Sequence, residues 1–400
     1  MLDIKKIRKD FPFLVKNSDR IYFDNSATSQ KPKIVLDSIV EFYENYNANI
    51  HRALFKEAID STREFDNARE IIAQFFGADS NQLIFTRNTT EGLNLAAYFL
   101  EDFVDENSEI LTTILEHHSN LLPFQRLAEK KGAKFLVSED LKSDGTLETE
   151  ALLEKISEKT KVFTTTLASN VTGENPDFSK VFKKCKSLGV KIVLDCAQFA
   201  PHKRINFHAL EADFLAFSGH KMLGPTGIGG LFVSHELKSN LNPFLIGGGT
   251  IKSVSLEKTE FADFPEKFEA GTPDICGVIA LSKAVSYLNY VGMENIKSYE
   301  EKLSEYFLER AEELKGMKIF GPKNPKKRSP TFSFVLDGVD IFDLGIFLDE
   351  KGIGIRAGYH CAEPLTRKLN EEGVARASLY FYNTKSEIDR FFDALSSILK

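Results

Sequence analysis

Two kinds of segment alternate along the sequence from about residue 60 to about residue 235. One kind carries apolar residues at helical spacing, as in STREFDNAREIIAQFF, EGLNLAAYFL, LLPFQRLAEKKG and FSKVFKKCKSLG. The other kind is short, apolar and rich in β-branched residues, as in EILTTIL, AKFLVS, KVFTTTLA, KIVLDC, DFLAFS and GIGGLFVS. This alternation is typical of a mostly parallel sheet covered by helices on both faces. The sequence therefore predicts an α/β fold for the central part of the chain.

The pattern changes after Gly277. The stretches CGVIALSKAVSYLNYVG and MENIKSYEEKLSEYFLERAEELKG carry apolar residues at helical spacing. The runs TFSFVLDG, DIFDLGIFLDEKG, IGIRAG and SLYFYN follow, and Thr384 and Glu387 form a capping-box pattern before a last helix. We expect two domains: a large one over residues 20–285, and a small α+β domain built from residues 1–19 and 286–400.

Composition narrows the class of function. The net charge is −7 over 400 residues, which argues against a nucleic-acid partner held by a basic face. The start, MLDIKKIRKDFPFL, has no apolar core of a signal peptide. No run approaches the roughly 20 apolar residues of a membrane span. We expect a cytoplasmic enzyme with neither nucleic acid nor membrane as a partner.

Polar residues follow the predicted strands at positions suited to chemistry. Asp195 ends KIVLDC, Gln198 comes three residues later, and Lys221 follows DFLAFS in the loop SGHKMLGP. Carboxyl ends of parallel strands share one edge of a sheet, and ligands bind at that edge. A turn-capping role for Asp195 and a solvated charge for Lys221 are the alternatives.

Three further groups lie near the ends of predicted elements. Thr89 and Thr90 precede a helix, where free amides favour an anion, and simple helix capping is the alternative. Ser218 and His220 offer further donors. The pair His117 and His118 resembles a metal site, but no other cluster has ligand spacing, so the sequence predicts no metal. A flat imidazole suits a planar ligand better.

These groups together indicate one ligand. It has a planar ring, a phosphate, an aldehyde for the lysine and a protonated ring nitrogen for the aspartate. Pyridoxal phosphate combines all of these features. A lysine amine holds its aldehyde, and a carboxylate keeps the ring nitrogen protonated so that the ring accepts electrons.

The four cysteines lie in different sequence surroundings. Cys185, Cys196, Cys276 and Cys361 include no C-x-x-C pair, so neither a zinc knuckle nor a disulfide framework is indicated. The first three are expected to be buried. Cys361 lies in the polar loop AGYHCAEP, where an exposed thiol is expected.

The whole chain resembles one family through ten ordered motifs. They are YFDNSATSQKP, TTEGLNL, EHHSN, ASNVTGENP, DCAQ, SGHK, GPTGIG, FEAGTP, CAEPL and RASLYFYNT. The chain is similar to fold-type I pyridoxal phosphate enzymes of the class V aminotransferase group, specifically SufS-type cysteine desulfurases. The resemblance implies conversion of L-cysteine to L-alanine, with a persulfide on Cys361 that supplies sulfur for iron–sulfur cluster assembly.

The resemblance implies roles around the cofactor. Lys221 would hold the aldehyde covalently, Asp195 would face the ring nitrogen, Gln198 would lie near the phenolic oxygen and His117 would stack on the ring. Lys221, His117 and Cys361 would be the catalytic residues. The implied phosphate contacts are Thr89, Thr90, Ser218 and His220.

The resemblance also implies substrate and protein partners. Arg376 would clamp the substrate carboxylate, Asn170 would help to hold the same amino acid, and Arg52 would line the entrance. The enzyme would be a homodimer in which Thr272 reaches the phosphate of the partner's site. A SufE- or SufU-like sulfur acceptor, or an iron–sulfur scaffold protein, would take the sulfur.

Some positions differ from the family pattern. Tyr359 stands where histidine or glutamine is common, Asn88 replaces a common glycine, and the early motif reads HRA rather than HRG. We hypothesise that His360 lowers the pKa of the Cys361 thiol. The alternatives for function are selenocysteine lyase activity, another class V reaction such as transamination or a kynureninase-like cleavage, and a scaffold without catalysis.

Overall fold

The computed structural model describes residues 2–399. Helices and strands are numbered in chain order. The strands are β1 (Ile21–Tyr22), β2 (Leu83–Thr86), β3 (Glu109–Thr113), β4 (Lys134–Ser138), β5 (Thr160–Thr166), β6 (Lys191–Asp195), β7 (Phe214–Ser218), β8 (Gly229–Val233), β9 (Ile251–Val254), β10 (Thr259–Phe261), β11 (Met317–Phe320), β12 (Thr331–Leu336), β13 (Ile353–Gly354), β14 (Arg356–Gly358) and β15 (Val374–Ser378). The helices are α1 (Ile4–Arg8), α2 (Pro12–Lys16), α3 (Lys33–Asn45), α4 (Lys56–Phe75), α5 (Thr89–Phe99), α6 (His118–Lys131), α7 (Thr149–Lys155), α8 (Ser179–Ser187), α9 (Phe207–Leu210), α10 (Ile275–Val291), α11 (Met293–Glu313), α12 (Ile341–Glu350), α13 (Glu363–Leu369) and α14 (Lys385–Ile398).

A central sheet carries the α/β part of the chain. Its strand order is β2-β8-β7-β6-β5-β3-β4. The strands from β7 to β4 pair in parallel, whereas β8 pairs antiparallel with both β7 and β2. The predicted mostly parallel sheet is confirmed, and each of the six predicted runs forms a strand. Strand β2 was not predicted, because its four residues are too few to show a periodic pattern.

Both faces of the central sheet are buried. Along β7, Leu215 and Phe217 belong to one core cluster, while Phe214 and Ala216 belong to another. Because successive side chains of a strand point to opposite faces, the two clusters lie on the two sides of the sheet. This burial explains why the strand sequences are continuous apolar runs rather than alternating ones.

A second sheet lies in the C-terminal part. Its order is β11-β12-β15-β14, its strands pair antiparallel, and its side chains pack with those of α11, α12 and α14. The capping box of Thr384 and Glu387 at the start of α14 is confirmed. The run SLYFYN lies mostly beyond β15, with Tyr380 and Tyr382 buried in the core. The boundaries of the two predicted domains stay a prediction, and residues 1 and 400 lie outside the described residues.

The length and hydropathy of the helices in residues 2–399 bear on whether any of them could span a membrane. No single helix among them is long and apolar enough. Only α10 and α11 taken together pass, by length and composition, and they are bent by 72° at their break. Most residues of α10 are buried in the protein core.

Candidate active site

One cavity of about 270 Å³ lies at the carboxyl ends of the central strands. Most of the residues predicted from the sequence line it. They are Lys221, Cys361, His117, Asp195, Gln198, Thr89, Thr90, Ser218, His220, Asn170 and Arg376. Parallel pairing brings them together, because the loops that follow β3, β5, β6 and β7 all leave the same edge of the sheet.

The loop after β7 presents Lys221 to the cavity. The carbonyl oxygen of His220 accepts hydrogen bonds from the Ser29 amide at 3.1 Å and from Lys31 Nζ at 2.8 Å, which fixes the backbone beside Lys221. Burial lowers the pKa of Lys221 to about 8, against an opposing effect of Asp195. Lys221 is therefore not the solvated surface charge of the alternative interpretation.

Asp195 lies deep at the end of β6. Its Oδ1 accepts a hydrogen bond from the Ala197 amide at 2.8 Å, so the turn-capping role exists. Burial raises the pKa of Asp195, while the Ala197 amide and the Lys221 charge act in the opposite direction. A buried carboxylate of this kind is stabilised by a cation in the cavity. The turn-capping role of Asp195 is therefore observed, and its role toward a ligand stays a prediction.

The N-terminus of α5 forms one end of the cavity. Asn88, not a threonine, caps this helix by accepting a hydrogen bond from the Glu91 amide at 3.0 Å. Ser218 Oγ lies 2.8 Å from the Thr89 amide and 2.7 Å from Thr89 Oγ1. Helix amides, hydroxyl groups and the positive end of the helix dipole suit an anion at this end.

A glycine allows this end of the cavity to form. A Cβ atom on Gly229 would lie 2.4 Å from the Phe217 carbonyl oxygen and 2.9 Å from Asn88 Cα. Any larger residue at the start of β8 would push the helix cap away from the lysine loop. The motif GPTGIG thus serves close backbone packing beside the anion site.

His117 and His118 have separate functions in the structure. His117 caps α6 by accepting the Ser119 amide at 3.1 Å on Nδ1, and burial lowers its pKa to about 3. Its ring is therefore neutral and available to a planar ligand. His118 instead holds the cysteine loop, because its amide donates to the Cys361 carbonyl at 2.7 Å and its Nε2 accepts the Glu363 amide at 3.1 Å.

Cys361 is the exposed one of the four cysteines. It lies in a tight loop in which His360 and Cys361 have φ values of 52° and 53°, an unusual conformation for residues other than glycine. His360 Nε2 is 3.0 Å from the Val374 carbonyl oxygen, and burial lowers its pKa well below the ordinary value. The neutral ring carries no charge to stabilise a thiolate. Any effect of His360 on the neighbouring thiol would therefore not come from a charged ring.

Two arginines and one aspartate form the other end of the cavity. Arg356 and Arg376 are directly opposite each other on β14 and β15, an unfavourable position for like charges. Asp24 lies between them, with Oδ2 2.8 Å from Arg356 Nη2 and Oδ1 3.2 Å from Arg376 Nη2. One carboxylate balances one of the two guanidinium groups. A net positive charge remains to attract an anionic ligand.

Arg376 retains a free donor within this group. Its Nη1 donates to the Asn170 carbonyl at 2.9 Å, while its buried Nε has no hydrogen-bond partner within residues 2–399. Burial lowers the pKa of Arg376 to about 10, which leaves the side chain charged at neutral pH. A buried unpaired donor is costly, so this atom indicates a place for a ligand oxygen.

Two predicted residues lie outside the cavity. Arg52 is exposed, and its Nη2 lies 3.4 Å from the Ile251 carbonyl oxygen. Thr272 is also exposed, and its Oγ1 lies 3.5 Å from Asn49 Nδ2. The fold of a single chain does not bring either side chain to Lys221.

Several residues that line the cavity were not predicted from the sequence. Ser26 and Ala27 line the cavity from the motif YFDNSATSQKP, and the Ser26 carbonyl accepts a hydrogen bond from Gln198 Nε2 at 2.7 Å. Arg356 also lines it. A signal was present, because Arg356 lies five residues before Cys361 in the strand-like run IGIRAG. Its opposition to Arg376 depends on strand pairing, which the sequence does not show.

Comparisons with known proteins identify the family. Residues 21–391 match the family model of class-V aminotransferases, and the chain belongs to that family. A probable cysteine desulfurase of Streptomyces coelicolor is 42% identical over 100% of this chain and 97% of the relative. The apo structure of a cysteine desulfurase from Thermococcus onnurineus NA1 has a TM-score of 0.95 and 38% identity, covering 100% of this chain and 98% of the other. The cysteine desulfurase CsdA from Escherichia coli has a TM-score of 0.91 and 33% identity, covering 100% and 99%.

The donor set of the cavity fits pyridoxal phosphate. An amine with a lowered pKa, a buried carboxylate, a neutral imidazole and a helix N-terminus with hydroxyl groups face one space. Family membership and this donor set together support the predicted cofactor. Lys221, Asp195 and His117 would hold the ring, and Thr89 and Ser218 lie where the phosphate would bind.

The pKa of Lys221 predicts how the cofactor-free protein takes up pyridoxal phosphate. The neutral amine, which attacks the aldehyde, becomes the main form above about pH 8 instead of near the ordinary value of 10.5. The rate of covalent attachment, followed by absorbance, is expected to rise with pH through a midpoint near 8. In the Asp195→Asn variant the midpoint should fall further, because Asp195 raises the pKa of Lys221. A midpoint at or above pH 10 contradicts this assignment.

Proposed function

We propose that the chain is a pyridoxal phosphate-dependent cysteine desulfurase. It converts L-cysteine to L-alanine and retains the sulfur as a persulfide on Cys361. The observation that carries this proposal is an exposed cysteine lining the same cavity as a lysine, an aspartate and an arginine. The relatives named probable cysteine desulfurase support the same reaction.

The chain's own residues supply orientation and proton transfer. Bound pyridoxal phosphate withdraws electrons from the substrate Cα, which weakens the bond between Cβ and sulfur. Asp195 would favour the protonated ring nitrogen, and His117 would lie against the ring. Lys221 Nζ in its neutral form accepts a proton from Cα and returns it, and the share of this form increases as the pH rises toward the lysine pKa of about 8.

Cys361 takes the sulfur. Its thiolate attacks the sulfur atom of the bound substrate, an S–S bond forms, and the C–S bond breaks. The electron pair of the broken bond stays with the carbon fragment, which takes up a proton and leaves as alanine. L-Cysteine and a thiol thus become L-alanine and a persulfide. The atoms and electrons balance without an external oxidant.

Arg356 and Arg376 bind the substrate carboxylate in this proposal. The unpaired Nε of Arg376 and the net positive charge of the pair suit a carboxylate. Asn170 positions Arg376 through its carbonyl and contacts the cysteine loop by donating Nδ2 to the His360 carbonyl at 2.8 Å. We place Arg52 at the substrate entrance, where its exposed position leaves it free to move.

We further propose the wider assembly that the sequence resemblance implies. The holoenzyme is a cytoplasmic homodimer that passes persulfide sulfur to a SufE- or SufU-like acceptor for iron–sulfur cluster assembly. Phe244, Leu245 and Ile246 form an exposed apolar run that a second subunit would cover. The division into a large domain of residues 20–285 and a small domain of residues 1–19 and 286–400 belongs to the same proposal.

The persulfide step is tested by replacing Cys361. With L-cysteine and a reductant, Cys361→Ser should form no persulfide, and its alanine production should fall on the order of 10³-fold, as for loss of a catalytic nucleophile. The matched control is Cys276→Ser, at a buried position away from the cavity, which should retain both products. Equal alanine production by Cys361→Ser would rule out this role and make L-selenocysteine the next substrate to assay.

The carboxylate site is tested by Arg376→Lys. Losing a fork-shaped, charge-assisted contact is expected to lower kcat/KM for L-cysteine by roughly 10-fold to 100-fold, mainly through KM. Arg356→Lys should have a smaller effect, because Arg376 carries the unpaired buried donor. Steady-state kinetics of both holoenzyme variants measure the difference. A lower kcat with unchanged KM in Arg376→Lys contradicts carboxylate binding.

The homodimer is tested by sedimentation equilibrium of the holoenzyme. A dimer is expected, and Thr272→Val should weaken cofactor retention in dialysis because the hydroxyl that reaches the partner's phosphate is lost. Thr272→Ser keeps a hydroxyl and should restore retention. A monomeric holoenzyme, or equal retention by Thr272→Val and the unmodified chain, contradicts the shared site.

A further inference from the structure

Three metal-binding side chains meet on the surface, outside the cavity. Asp79 follows α4, His208 lies in α9 and His235 follows β8. Their ligand atoms lie within 4.8 Å of one another. His235 Nε2 is 2.8 Å from Asp79 Oδ2, and His208 Nε2 is 4.0 Å from Asp79 Oδ1. None of the three lines the candidate active site.

The backbone that carries these ligands is held by the protein core. Each ligand has a buried phenylalanine within three residues of it in the sequence, namely Phe76, Phe207 and Phe232. The centroid of the Phe232 ring lies 5.1 Å from that of Phe76 and 5.7 Å from that of Phe207. The Phe207 amide donates to the Phe76 carbonyl at 2.7 Å. The segments are thus fixed relative to one another before any ligand binds, which lowers the entropy cost of binding.

The backbone next to the ligands is also hydrogen-bonded. The His208 amide donates to the Gly77 carbonyl at 3.3 Å, and the Asp79 amide donates to Gln82 Oε1 at 3.0 Å. The His208 and His235 rings are nearly parallel, with an interplanar angle of 13° and centroids 6.0 Å apart. Both imidazoles therefore lie beside the same carboxylate, on backbone segments that hydrogen bonds hold in place.

We propose that Asp79, His208 and His235 bind a divalent transition metal, with Zn²⁺ as the ion. Ligand atoms about 2.0–2.1 Å from a tetrahedral zinc lie roughly 3.3 Å apart. Here the His235 and His208 nitrogens lie 2.8 Å and 4.0 Å from the two different oxygens of Asp79, and small side-chain rotations connect these spacings. Two imidazoles and one carboxylate suit zinc, whereas calcium and magnesium prefer oxygen ligands alone. The side chains are 44–59% exposed, so water completes the coordination. The ion would link three surface segments. They lie at the edge of the central sheet opposite to the edge that carries the candidate active site.

Zinc titration of the holoenzyme tests this site by calorimetry. A Cys361→Ser background removes the exposed thiol, which also binds zinc. One zinc per chain is expected. Asp79→Asn, His208→Gln and His235→Gln should each weaken binding roughly 10-fold or more, because even loss of an outer partner of a metal ligand costs 10-fold to 100-fold. Asp79→Asn retains an oxygen that can cap the following turn.

Glu236→Gln is the matched control, since it removes the same charge beside His235 from an exposed residue outside the ligand group. It should bind zinc as the background does. Zinc should also raise the thermal unfolding temperature of the background and of Glu236→Gln, but not of the three ligand variants. No saturable binding, equal binding by the ligand variants, or equal loss in Glu236→Gln would overturn the proposal.

Discussion

The parallel pairing of β6 with β7 is the constraint on which the rest of the site depends. In this register Asp195 pairs with Ala216, so both strands end at one edge and Asp195 and Lys221 enter the same cavity. A shift of one residue would turn the side chain of Asp195 to the other face of the sheet. The register is specified because both faces are buried and every residue of β7 is enclosed.

The part of the cavity that carries Cys361 comes from the C-terminal part of the chain. Cys361 lies in the loop before α13, and Arg376 lies in β15 of the second sheet. Both side chains line the cavity. Asn170 links the two parts, because its side chain donates to the His360 carbonyl and its own carbonyl accepts from Arg376. His118 adds two more links to the same loop. These bonds hold the thiol near the lysine and keep its strained backbone in place.

The residues predicted to follow the carboxyl ends of strands do line the cavity. The positions of Asp195, Lys221 and His117 depend on one rule, that parallel strands share a carboxyl edge. It could not place Arg356 opposite Arg376, because antiparallel pairing in the second sheet has no local signal. It also could not find Asp79, His208 and His235, which lie far apart in sequence and meet only through packing of three phenylalanines. The neutral state of His360 depends on burial, which a polar loop sequence does not reveal.

The two ends of the cavity carry donor groups of different chemistry, and both suit an anion. The N-terminus of α5 offers neutral donors and a helix dipole, which suit a phosphate, while Arg356 and Arg376 offer full charges, of which Asp24 balances one. In the proposed reaction, a ligand with a phosphate at one end and a carboxylate at the other would thus be held along one direction. Cys361 stands at the arginine end, where it lines the same cavity as both guanidinium groups. In the proposed reaction these charges would therefore orient the substrate carboxylate beside the thiol that takes up the sulfur.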